Sequence, residues 1–130
     1  MNKEKNDKKT GGVTRIEDIP RVIEALREIG VPTCDAVSMF SVITHQSPTE
    51  SALTFAQCRQ VVGDGGRLYF TAFLDEDTEE YWEAGEVPGA LVKHNPDRLL
   101  ALTEGAGWRV DSIHRQEETL QQAAFVCTAV

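Results

Sequence analysis

The sequence predicts one mixed α/β domain, a sheet of parallel strands finished by an antiparallel strand, with helices on its faces. Three observations predict it. Apolar runs of strand length alternate with stretches of helical period from residue 18 to residue 105, the pattern of parallel pairing with right-handed crossovers. The last two apolar runs are joined by a connection too short for a helical crossover, which makes that pair antiparallel. At 130 residues, 41% hydrophobic and 26% charged, the chain is large enough for one core and not for two.

Residues 1–12 stand apart from the rest. The first ten carry four lysines against Glu4 and Asp7, and Gly11-Gly12 closes a segment with too little apolar surface to order itself. The expected organisation is a disordered tail over 1–12 and an α/β domain over 13–130. Asp18 can cap a first helix with Pro20 in its first turn. Ile19, Val22, Ile23, Leu26 and Ile29 recur at helical spacing, and Gly30 with Pro32 ends the run. Asp35–Val42 (DAVSMFSV) is short, apolar and rich in β-branched and aromatic residues, which suits a buried strand.

Ser47-Pro48-Thr49-Glu50 has the form of a capping box with proline at the first helical position. The helix it opens is expected to run to about Val62, burying Ala52, Leu53, Phe55 and Ala56, and to stop at Gly63. Asp64-Gly65-Gly66 reads as a tight turn, and Arg67–Leu74 (RLYFTAFL) as a mid-sheet strand. From Asp75 to about Lys93 the chain turns polar, with seven acids and no base between Asp75 and Glu86, and reads as a loop. Asn95-Pro96 begins a helix carrying Leu99, Leu100 and Leu102, which Gly105-Ala106-Gly107 ends. Trp108–His114 and Ala123–Val130 are the final strands.

A formal net charge of −8 repels phosphate backbones, so nucleic acid is not an expected partner. No stretch approaches the roughly 20 apolar residues of a membrane helix, and nothing near Met1 resembles a secretion signal. Cys34, Cys58 and Cys127 are scattered and odd in number. That argues against a disulfide framework or a zinc site and for buried thiols in a reducing cytoplasm. No metal-ligand spacing and no phosphate loop is present.

Several motifs, in order, resemble one family. Asp35 to His45 (DAVSMFSVITH) is similar to the fourth strand and following turn of class I S-adenosylmethionine-dependent methyltransferases, often written FDxVxxFSVxTH. Val61 to Leu68 (VVGDGGRL) resembles the family's RVLKPGGRL, with Asp64 where proline is usual, and Thr71 to Asp75 resembles the end of the fifth strand. Arg98 to Val110, through Gly105-Ala106-Gly107-Trp108, resembles the last helix and sixth strand, and Gln121 to Val130 the antiparallel seventh. The resemblance spans about residues 34–130. It implies the C-terminal half of a Rossmann-like methyltransferase sheet, with S-adenosylmethionine as cofactor.

The family holds that cofactor mainly through a glycine-rich loop after its first strand and an acid after its second, where backbone approaches the ligand and the acid meets the ribose hydroxyls. Before Asp35 this sequence offers only Gly11-Gly12 and Gly30, neither behind a strand. The chain alone is therefore expected to bind the cofactor weakly or not at all.

By the same resemblance Phe40 and Ser41 would face the methionine part of the cofactor, and His45 would orient a substrate or take its proton. The alternative for His45 is that it and Thr44 merely cap the turn before Ser47. Tyr81 and Trp82 sit in the acidic stretch, where the family often places substrate-covering segments; such a lid would favour a cationic amine, and the alternative is a solvated charge run. His94 and His114 read as structural. Two functions follow: one half of a split or composite methyltransferase, or a degenerate, non-catalytic module of that fold. Asp35–Val42 carries no charge, proline or glycine from Ala36 onward. Without a neighbouring first strand it is expected to pair with a second copy as a homodimer or with a complementing chain.

Overall fold

The computed structural model describes residues 33–85, 87–115 and 122–130, together with positions 21, 24, 25, 28 and 29. The tail over 1–12 and most of the helix expected over 19–29 lie outside the described residues. Within that helix, Ile29 N–H donates to the Ala25 carbonyl at 3.1 Å.

The elements are β1 (Cys34–Met39), a 3-10 turn (Ile43–His45), α1 (Pro48–Val61), β2 (Val62–Leu74), β3 (Tyr81–Glu83), β4 (Val92–His94), α2 (Pro96–Gly105), β5 (Trp108–Arg115) and β6 (Gln122–Ala129). β2 is the axis of the sheet. On one side it pairs antiparallel with β6 from Arg67 to Phe73, and β5 lies beyond, antiparallel to β6. On the other side it pairs parallel with β1 up to Phe70, then parallel with β4 at Phe73 and Leu74. β3 pairs antiparallel with β4 at the rim. Thus β1, β2 and β5 run one way and β6 the other, a mixed α/β sheet of partial Rossmann-like form.

Three expectations need correcting. Among the described residues the sheet has six strands, two more than the four that the sequence predicts, because the acidic stretch folds into the β3–β4 hairpin. Strands of three residues are too short to show alternation, although Val92 and His94 do point inward and are buried. Second, β2 begins at Val62, so Asp64–Gly66 is a bulge within the strand and not a turn before it. The register with β1 jumps from Cys34–Val62 to Ala36–Arg67 there. Gly66 belongs there because a Cβ would stand 2.9 Å from the Asp35 carbonyl oxygen.

The third correction concerns α1. Its capping box forms as expected: Glu50 N–H donates to Ser47 Oγ at 3.3 Å, and Ser47 N–H to Glu50 Oε1 at 2.9 Å. Its buried face, however, is Ser51, Thr54, Phe55 and Cys58, while Leu53 is 51% exposed. Position decides this against hydropathy, since 51, 54, 55 and 58 share one side of a helix. Thr54 tolerates burial because its hydroxyl donates to Gln46 Oε1 at 3.1 Å. Ser51 Oγ is buried with no hydrogen-bond partner.

Both described helices pack on one face of the sheet. There Leu68, Phe70 and Ala72 of β2 and Ala123, Phe125, Cys127 and Ala129 of β6 are all buried, with Phe55, Cys58 and Leu99 supplied by the helices. Phe70 lies between Phe55, 4.8 Å away and tilted, and Phe125, 4.5 Å away and stacked. Trp108 closes the layer and donates its indole N–H to the Phe55 carbonyl at 3.0 Å. Arg59 ties the end of α1 to the carbonyls of Val62 and Gly107 and to Asp64. On the opposite face the alternate residues Tyr69, Thr71, Phe73, Ala124, Val126 and Thr128 are only half-buried. Burial pushes the thiols of Cys58 and Cys127 up to about 12, so both are inert.

Candidate functional site

In an open α/β sheet, ligands meet the carboxyl ends of the strands. β1 ends here at Met39, and β4 takes over its side of β2 only from Phe73 onward. The chain leaves the sheet in the gap between them. Phe40 projects with 64% of its surface exposed. Ser41 adopts φ +61°, the one described non-glycine residue in the left-handed region, a conformation that costs energy and is kept only where the surroundings enforce it. Thr71 enforces it, accepting the Ser41 N–H on Oγ1 at 2.9 Å; Gln122 reaches the Ser41 hydroxyl from β6 at 3.4 Å.

His45 follows within the 3-10 turn, so Phe40, Ser41 and His45 all lie in the segment that leaves the end of β1. The cap of α1 is Ser47. The His45 ring is spent differently: Nδ1 lies 2.9 Å from the carbonyl oxygen of Gly89, in the loop of the β3–β4 hairpin.

Tyr81 and Trp82 stand on β3, at the outer edge of the hairpin, 38% and 46% exposed. The same hairpin meets the first group at its loop, where Gly89 contacts His45. The Trp82 ring already carries a cation, with Lys93 Nζ 5.1 Å from its centroid. His94 is buried and structural: its Nε2 bonds the Gln46 carbonyl at 3.1 Å, and burial lowers its pKa against the opposing pull of the Ile43 and Gln46 carbonyls. The ring is neutral at pH 7. Beside it, Pro48, Glu80, Arg98, Ala101 and Leu102 complete a cavity of about 170 Å³. Among the described residues no cluster could hold a metal ion, and no helix is long and apolar enough to cross a membrane.

Sequence reasoning missed Thr71, Gln122, Glu83 and Gly89. The first two act through backbone proximity across the sheet, which leaves no local signal. Gly89 did leave one. Val87-Pro88-Gly89-Ala90 has proline and glycine at the second and third places of a type II turn.

No family model and no curated protein sequence matches the chain. Among solved structures it is similar to the 1,6-didemethyltoxoflavin-N1-methyltransferase of Burkholderia thailandensis, with a TM-score of 0.64 at 13% identity, over 78% of this chain and 46% of that one. It is also similar to a SAM-dependent methyltransferase from Methanosarcina mazei, with a TM-score of 0.58 at 16% identity, over 76% of this chain and 60% of that one. Human N-acetylserotonin methyltransferase, crystallised with SAM, gives 0.56 at 15% identity, over 75% of this chain and 30% of that one. The chain therefore has the fold of S-adenosylmethionine-dependent methyltransferases. Its likeness spans 60% or less of the length of each of these three.

Proposed function

We propose that this chain is a methyltransferase domain whose site is composite, with its own share at the carboxyl end of β1 and the rest supplied by another segment. The observation that carries the reading is Ser41, held in a left-handed conformation at the strand end where such folds receive ligands. The Phe40 ring and the Ser41 hydroxyl suit the methionine end of S-adenosylmethionine. Among the described residues no glycine-rich loop follows a strand at this end, so the fit covers only part of the cofactor. Ribose and adenine fall to the complementing segment.

The cofactor, when bound, supplies an electrophilic methyl group on a sulfonium sulfur and departs as S-adenosylhomocysteine. His45 Nε2 takes the proton that the acceptor loses as its oxygen or nitrogen bonds the methyl carbon. Tyr81 and Trp82 cover the acceptor from the hairpin. Two buried thiols suit a reducing cytoplasm.

The complementing strand would pair with β1. Among the described residues β1 pairs with β2 alone, and Ala36 and Ser38 are exposed. The same edge supports the second reading, a non-catalytic module that uses strand addition to form a homodimer or a heteromer. Calorimetric titration with S-adenosylmethionine and S-adenosylhomocysteine tests the first reading. The chain alone is expected to give no low-micromolar binding, and such binding would remove the need for a composite site. Light scattering on a sizing column tests the edge. A monomer near 14.4 kDa at high concentration would rule out self-pairing, whereas Val37→Pro should weaken any dimer that forms.

A further inference from the structure

A carbonyl oxygen only accepts hydrogen bonds, so the 2.9 Å contact from His45 Nδ1 to the Gly89 carbonyl puts the ring proton on Nδ1. In the neutral ring Nε2 then keeps the lone pair. The carbonyl that sets this is itself immobilised. Ala90 N–H donates to the Val87 carbonyl at 3.2 Å, closing the Val87–Ala90 turn. Gly89 has φ +80° within it, as the third place of a type II turn requires. Gly89 N–H donates to Glu83 Oε2 at 2.5 Å, which fastens the turn to the end of β3. Ala84 N–H donates to the Leu91 carbonyl at 2.9 Å and continues the hairpin ladder below. The turn also meets the histidine backbone, for a Cβ on Gly89 would stand 2.9 Å from the His45 carbonyl oxygen.

We propose that the Pro88-Gly89 turn is a positioning device for His45. The Gly89 carbonyl fixes the ring's orientation and tautomer, and Glu83 fixes Gly89. Glu83 and Gly89 are positioning residues, since neither touches a reacting atom. The arrangement leaves Nε2 as the nitrogen that receives a proton and links it to the hairpin bearing Tyr81 and Trp82. The link to proton transfer rests on the methyl-transfer reading; the control of the tautomer does not.

Long-range proton–nitrogen NMR on histidine-labelled protein at about pH 9, above the range where imidazole titrates, reads the tautomer without any turnover. The expected result is His45 almost wholly in the Nδ1–H form. Gly89→Ala, which strains a positive φ and places a methyl against His45, should shift the ring to a mixture or to the Nε2–H form. Should that variant not fold, Glu83→Ala replaces it with the same expected shift, while Glu83→Gln, which still offers an oxygen to Gly89 N–H, should keep the wild-type tautomer. An Nε2–H ring in the wild type, or a tautomer unmoved by both Gly89→Ala and Glu83→Ala, overturns the proposal. Methyl transfer by a complemented enzyme that is indifferent to His45→Gln, with the tautomer as expected, strikes the role of His45 in the reaction and leaves the turn's hold on the ring intact.

Discussion

The two faces of the sheet are built from the same strands and differ in almost everything else. Phe70 and Tyr69 are neighbours in β2, yet Phe70 is buried between two aromatic rings while Tyr69 is half-exposed opposite. The helix-covered face holds apolar side chains. The other face is laced with polar contacts: Thr71 with Ser41, and Asp111 with Thr128, Arg109 and Arg67. Stability on the first face comes from area removed from water. On the second it comes from hydrogen bonds and ion pairs that solvent screens.

The largest test of this contrast is Phe70→Ala against Tyr69→Ala. Phe70→Ala should cost about 3–5 kcal/mol, the usual range for a buried phenylalanine that leaves a cavity. Tyr69→Ala should cost about 1 kcal/mol. Urea unfolding followed by circular dichroism measures both. If the two costs match, and the Tyr69 cost grows with protein concentration, the half-exposed face is covered in solution by a second copy.

A smaller effect separates two buried hydroxyls on α1. Thr54→Val should destabilise by about 1–3 kcal/mol, because Gln46 Oε1 loses its donor in a dry site. Ser51→Ala should do the reverse and stabilise by roughly 1 kcal/mol, since it removes an unpartnered oxygen and alanine favours the helix. Thermal melts of the two variants should therefore move in opposite directions.

The smallest effect lies on the polar face. The Thr128 hydroxyl, then the Arg109 guanidinium, with Arg67 further off, hold the Asp111 carboxyl below its usual value of 3.8. A carboxyl depressed in the folded state contributes stability above its unfolded pKa and loses it as pH falls through the folded one. Asp111→Asn, which resembles the protonated carboxyl, should thus match wild type at low pH, be slightly less stable at neutral pH, and so flatten the acid limb below about pH 4. The site is exposed, so the change is slight. An acid limb identical to wild type would remove Asp111 from it.

The same contrast explains what was legible in the sequence. The capping box at Ser47 and Glu50 and the long apolar strand Arg67–Leu74 are local patterns, and each folds as written. Leu53 misled because hydropathy says that a residue prefers burial, whereas the direction of α1 decides which side is buried. Ser51 and Thr54 won the inward side by position alone. The β3–β4 hairpin was hidden for another reason. Its strands are three residues long, and the acids around them reflect an exposed rim, not a lack of structure. Phe40, Ser41 and His45 could be placed near one strand end from sequence because they lie within six residues of each other. The contacts that fix them, Thr71, Gln122 and Gly89, are distant along the chain and became visible only once the sheet was assembled.

The central place of β2 also sets the order in which the sheet can be completed. β1 meets β2 through a crossover that is finished once Leu74 has been made, but the other side of β2 waits for β6, where Phe70 finds Phe125. Pairings between segments so far apart are slow to form. In the interval Leu68–Leu74 (LYFTAFL) presents an unpaired backbone edge without charge, proline or glycine, the makings of intermolecular β-assembly. Refolding yield should therefore fall as protein concentration rises, with aggregates nucleating from the strand that is best protected once the sheet is complete.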